Sequence, residues 1–155
     1  MSNRHKLLLA ALLATFAIPA VSFLAQDSAK GTVVIGSLMW TTEPNGQNVN
    51  WEAANKYCQG VKLGGYADWR LPTIEELVSV YDPKATTAFH IKSPLQLKSC
   101  CLWSSTVLVE DGDKRRLFEP SRYAWGLYFD SGGVRYYSAM NFTDGQVLCV
   151  RPAPK

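Results

Sequence analysis

One stretch, residues 36–83, limits what this chain can fold into more than any other. It reads GSLMWTTEPNGQNVNWEAANKYCQGVKLGGYADWRLPTIEELVSVYDP. The β-branched run at 32–35 and then Leu38-Met39-Trp40 predict extended chain, ended by the turn composition Glu43-Pro44-Asn45-Gly46. Asn50 has the side chain of an N-cap, so a helix starts at Trp51, with Ala54, Tyr57, Cys58 and Val61 as its apolar stripe. Gly60 and Gly64-Gly65 end it. In DWRLP, Pro72 keeps Leu71 extended. Thr73 and Glu76 form a capping box for a second helix, each side chain satisfying an orphaned backbone donor. Ile74, Leu77, Val78 and Tyr81 are its inward stripe, and Asp82-Pro83 stops it.

Beyond this stretch the pattern changes. Residues 84–99 carry little periodicity and read as a long surface loop. From Cys101 onward the chain reads as β. Strands are predicted over 102–109, 123–130, 134–140 and 147–151, with turns at 110–113 and at Ser131-Gly132-Gly133. Tyr123, Trp125, Leu127 and Phe129 alternate onto one face. The sum is an α+β fold, two helices packed on one side of a mostly antiparallel, twisted sheet.

The N-terminus belongs to another function. Arg4, His5 and Lys6 precede an apolar run over 7–25, and Ala20-Val21-Ser22 supplies the small residues of a cleavage site. Residues 1–22 read as a signal peptide, 23–35 as a lead-in and 36–152 as one domain. The competing reading is an uncleaved membrane anchor. Either one directs the domain out of the cytoplasm, to the periplasm, the cell envelope or the medium. Cleavage leaves 133 of the 155 residues, enough for one core. It also takes Arg4 and Lys6, so the formal charge falls from +3 to +1 and no longer points to nucleic acid. In an exported chain Cys58, Cys100, Cys101 and Cys149 suggest disulfides, with three connectivities open. Cys58 and Cys149 are the natural long-range pair. Cys100 and Cys101 are left to bridge each other, to pair elsewhere or to stay reduced.

The segments NWEAANKYC, LGGYADWRLPTIEEL, LWSST, AWGLYF and LCVRP, in this order, resemble the bacterial family named after the C-terminal domain of a collagen-like adhesin, the Lcl C-terminal domain. The likeness covers roughly residues 36–152. It implies a C-type-lectin-like fold of the variant shared with formylglycine-generating enzymes. It also implies that Cys58 and Cys149 tie the first helix to the last strand. The eponymous adhesin is associated with sulfated-glycan binding, but its collagen-like stalk is absent from this sequence.

Chemistry is sparse. Glu43-Pro44-Asn45 matches the EPN triplet of calcium-dependent lectins but lies ahead of the first helix, and the companion Trp-Asn-Asp is missing. It reads as a turn, as do Glu110, Asp111 and Asp113, and no metal site is expected. Cys100 and Cys101 are the sole candidates for the copper pair of a formylglycine-type oxidase. Neighbours on a strand point to opposite faces, so a disulfide or packed thiols is the plainer reading. His90, the one histidine outside the leader, reads as an exposed loop residue, and with no catalytic motif around it no enzyme and no cofactor are expected. Trp69, Arg70, Thr73 and Glu76 are read as scaffold, with Arg70 ion-paired to the second helix. The candidates for ligand contact are a basic patch of Lys114, Arg115, Arg116, Arg122 and Arg135, and the stacking faces of Tyr128 and Tyr137. The partner expected from these residues is an acidic or sulfated glycan, or an envelope protein. A structural subunit of an envelope complex is the other non-enzymatic reading.

Overall fold

The computed structural model describes residues 30–108, 123–143 and 145–155. Its elements run β1 (Thr32–Ile35), β2 (Leu38–Thr41), α1 (Trp51–Gly60), α2 (Ile74–Ser79), β3 (Cys101–Leu108), β4 (Tyr123–Tyr128), β5 (Val134–Ala139) and β6 (Val150–Pro152). The strands form two antiparallel sheets of three, ordered β1-β2-β6 and β3-β4-β5. The single sheet expected from the sequence is therefore split. The chain's last strand returns to the opening hairpin, with Trp40 opposite Val150.

Two apolar clusters fill the interior. One gathers Trp40, Leu77, Leu102, Leu127, Phe129 and Leu148, all fully buried, with α2. The other gathers Ala54, Cys58, Trp69, Trp103, Val147 and Cys149 with α1. Cys58 and Cys149 are bonded across 91 positions with Cα atoms 5.5 Å apart, which pins α1 beside the last strand. The second sheet is buried on both faces. Leu127 and Phe129 are sealed on one, while Ala124 is sealed on the other and the Tyr136 ring lies flat against Gly126, where a Cβ would come within 2.6 Å of the phenol oxygen. The shared face predicted for 123–129 is kept, with Trp125 packed against the cluster that holds Leu127 and Phe129. Leu127 and Phe129 are core, whereas Tyr123 and Trp125 are only partly buried.

DWRLP welds the sheets and helices together. The Asp68 carboxylate takes Arg151 Nε at 2.7 Å and a second nitrogen at 3.1 Å. Arg70 exchanges backbone hydrogen bonds of 2.9 Å with Val150, and its guanidinium forks onto Glu76 at 2.8 and 2.7 Å. Trp69 and Leu71 are buried. Thr73 accepts from the Glu76 N–H at 3.2 Å, and the Glu76 carboxylate accepts from the Thr73 N–H at 2.7 Å, the capping box the sequence predicts.

Four expectations need correction. Tyr57 and Val78, placed on inward stripes, are 43% and 37% exposed, because each helix buries only two residues and the stripes are narrower than assumed. The segment 84–99 is not wholly surface. Ile91 and Leu95 are buried, and Ile91 bridges Tyr81. His90 is half-buried against Tyr81 rather than exposed, with ring centroids 6.0 Å apart. The last strand is shorter than 147–151, since Val147 and Cys149 donate to the side chains of Asn45 and Thr41 at 3.0 and 3.1 Å before the ladder begins.

Candidate functional site

An open groove of about 830 Å³ lies between α1 and the end of the β1–β2 hairpin. Local sequence explains it. Asn50 caps α1 by accepting from the Ala53 N–H at 2.9 Å, and Trp51 donates its indole N–H to the Ser104 carbonyl at 2.8 Å. These contacts and the disulfide turn Ala54 and Cys58 inward, and leave Ala53, Lys56, Tyr57 and Gly60 facing the groove. The chain leaves the helix extended at Val61 and runs to Leu63. Leu63 methyls pack where a Cβ of Gly31 would sit, 3.5 Å away, closing the groove's far end with the hairpin. Thr41, Thr42 and Glu43 form the opposite wall.

The groove has an apolar floor and a cationic rim. Val61, Leu63 and the Tyr57 ring supply the floor, and Lys30, Lys56 and Lys62 the rim, with Glu43 the one carboxylate in the lining. The arginines among the described residues are already engaged: Arg70 with Glu76, Arg135 with Glu75 and Arg151 with Asp68. The Arg70 hydrogen bonds hold the Glu76 carboxyl below the usual glutamate range, and those of Arg151 do the same for Asp68. Among the described residues Lys30, Lys56 and Lys62 form no ion pair.

The sequence candidates do not assemble into one site. Lys114, Arg115, Arg116 and Arg122, like the turn carboxylates Glu110, Asp111 and Asp113, lie outside the described residues, as does the leader 1–22. Arg135 is opposite Leu127 and Tyr128 opposite Val134, so the two project from opposite faces of the second sheet. The Arg135 guanidinium crosses to Glu75 of α2 at 2.8 Å. The Tyr128 ring stacks at 4.4 Å on Tyr136, which in turn reaches Trp103. Tyr137 sits at the register position opposite Trp125. Asn45 of the EPN triplet spends its side-chain oxygen on the Val147 N–H. Among the described residues no group of three or more His, Cys, Asp or Glu is placed to hold a metal ion. Cys100 and Cys101 are bonded to each other, which leaves no thiolate at either. Sequence reasoning missed the groove because it assigned Tyr57 to the core. No local signal marked it, since periodicity alone does not tell an exposed tyrosine from a buried one at that position.

Two small antiparallel sheets, two helices and a last strand paired to the opening hairpin define the C-type-lectin-like fold. Two solved structures share it: botrocetin, 12% identical with a TM-score of 0.51, covers 81% of this chain and 98% of its own. EMS16, an antagonist of the collagen receptor integrin α2β1, is 15% identical with a TM-score of 0.50 and covers 79% and 98%. The chain belongs to the Lcl C-terminal domain family, whose match spans residues 35–151. No curated protein sequence matches it.

Proposed function

We propose that this chain is an exported, non-enzymatic recognition module that binds a glycan or a protein partner at the cell envelope or outside the cell. The observation that carries the reading is the groove beside α1. It combines an aromatic face, an apolar floor and three lysines without ion pairs, on a scaffold that has committed its described arginines to itself. Pockets of this size suit ligands recognised by shape and a few polar contacts. The fold supports the same reading, since EMS16 uses it against a receptor protein. Export is supported by the basic-then-apolar leader and by four cysteines paired as two disulfides.

The test is a glycan array probed with the purified disulfide-bonded protein at physiological salt, run beside co-purification from an envelope fraction. Saturable capture of a glycan or an envelope protein is the expected result. Capture that survives Arg115→Ala/Arg116→Ala places recognition away from the 114–116 patch, and loss of capture places it there. A blank in both screens overturns the reading.

A further inference from the structure

We propose that the α1 groove binds a small carboxylate carried on an apolar body, such as an aromatic or short alkyl acid. The proposal goes beyond the recognition reading: it names a small-molecule chemistry for the same groove and stands or falls separately from capture of a macromolecule. Size comes first: about 830 Å³ of open groove exceeds what a single side chain or a few waters require, and lies in the range of small-molecule sites. The floor is next. Val61, Leu63 and Tyr57 offer apolar surface, and Tyr57 keeps 43% of its area exposed. Burying such a surface under a ligand's apolar part stabilises the complex by roughly 25 cal/mol per Å².

Charge selects the head group. The groove runs along the C-terminal half of α1, whose carbonyl end alone would disfavour an anion. Lys30, Lys56 and Lys62 reverse that field, and Glu43 offsets only one of them. Each ammonium carries three donors and has no carboxylate partner among the described residues. A carboxylate arriving over Tyr57 would accept charge-assisted hydrogen bonds that a neutral amide of the same shape would not. An uncharged sugar lacks that head, and a cation would be repelled.

Gly60 supplies an independent handle. Gly60 lines the groove and a Cβ built there meets nothing within 4 Å, so a side chain starts from open space. The experiment is an NMR titration of the disulfide-bonded protein with 4-phenylbutyrate and, separately, with the neutral 4-phenylbutyramide. Phenylbutyrate should give saturable shifts confined to the amides of 41–43 and 53–63. The amide should bind about tenfold more weakly. Lys56→Gln/Lys62→Gln should weaken phenylbutyrate by a similar factor, and Gly60→Phe should abolish binding with a melting temperature no lower than the wild type's. Equal binding of acid and amide, shifts centred elsewhere, or wild-type affinity in the double lysine variant overturns the proposal. If phenylbutyrate fails to bind while the array or the envelope fraction still yields a partner, the carboxylate groove falls and the recognition reading stands. If phenylbutyrate seats in the groove and both screens are blank, the groove assignment stands and macromolecular recognition falls.

Discussion

The two helices differ in how they are held. α2 has six residues, too few to persist alone, and it is fastened at its N-terminus, along its buried face and by two ion pairs. Its capping box closes the N-terminus, Thr106 Oγ1 accepts from the Ile74 N–H at 3.0 Å, and Leu77 is sealed beneath. Arg70 and Arg135 then grip Glu76 and Glu75. α1 has ten residues and is fastened on one side only, by Asn50, Trp51 and the Cys58 bridge. The side chains of Lys56 and Tyr57 make no hydrogen bond or ion pair among the described residues. The contrast separates scaffold from site. Where polar groups satisfy one another there is nothing left to offer a ligand, and where they do not, the unpaired groups border a groove.

Cutting the bridge should break the comparison most severely, because it removes the one covalent hold on α1. Cys58→Ala/Cys149→Ala frees a loop of 91 positions, and removing a native bridge of this kind costs about 2–5 kcal/mol. Guanidinium unfolding of the variant against the wild type measures this. An unchanged midpoint would mean that packing of Ala54 and its neighbours holds α1 unaided. Next comes a matched pair of truncations. Leu77→Ala on the fastened helix should lose about 2–5 kcal/mol through the cavity it opens. Tyr57→Ala on the open face should stay within about 0.5 kcal/mol. Equal losses would show that Tyr57 packs as core and would erase the distinction between the helices.

A smaller effect tests α2's electrostatic hold. Glu76 titrates below its ordinary value in the folded chain, first through the Arg70 hydrogen bonds and then through the Thr73 N–H, although burial opposes both. A carboxyl with a depressed folded value contributes stability that is complete above the ordinary glutamate value of about 4.3 and fades as pH falls through the lower, folded value. Glu76→Gln keeps the shape but removes the charge. It should lose about 1 kcal/mol at neutral pH and flatten the acid limb of the stability curve between those two values. Urea melts across that window decide it, and an acid limb as steep as the wild type's would assign the dependence to other carboxylates such as Asp68.

What could be read from the sequence followed the physics of short range. Asn50, Thr73 and Glu76 announce their helices because a cap acts within four residues, and their hydrogen bonds are all in place. The order of strands and helices was legible for the same reason, and the family likeness added the global fold. The split into two sheets was not legible. It depends on β6 returning to β2 across more than 100 residues, which no local pattern encodes. Tyr128 and Arg135 were both candidates for ligand contact, yet the register of β4 and β5 puts them on opposite faces. The groove was hidden for a related reason. An exposed tyrosine and a buried one occupy the same helical position in a periodicity count, and only the depth of the neighbouring sheet tells them apart.

The smallest expected effect sharpens the comparison at the end of α1. Gly60 closes the helix without a left-handed backbone, and a methyl group there meets no atom within 4 Å. Its glycine therefore serves neither a strained turn nor a close contact with the core. Glycine costs a helix about 0.5–1 kcal/mol relative to alanine, mainly through the freedom it loses on folding. Gly60→Ala should accordingly raise stability by up to that amount, less at a frayed last residue than in mid-helix. Thermal melts of the two proteins measure the change. If alanine is destabilising instead, the wall of the groove at Gly60 is occupied in solution, and the open face of α1 is covered by some other part of the chain.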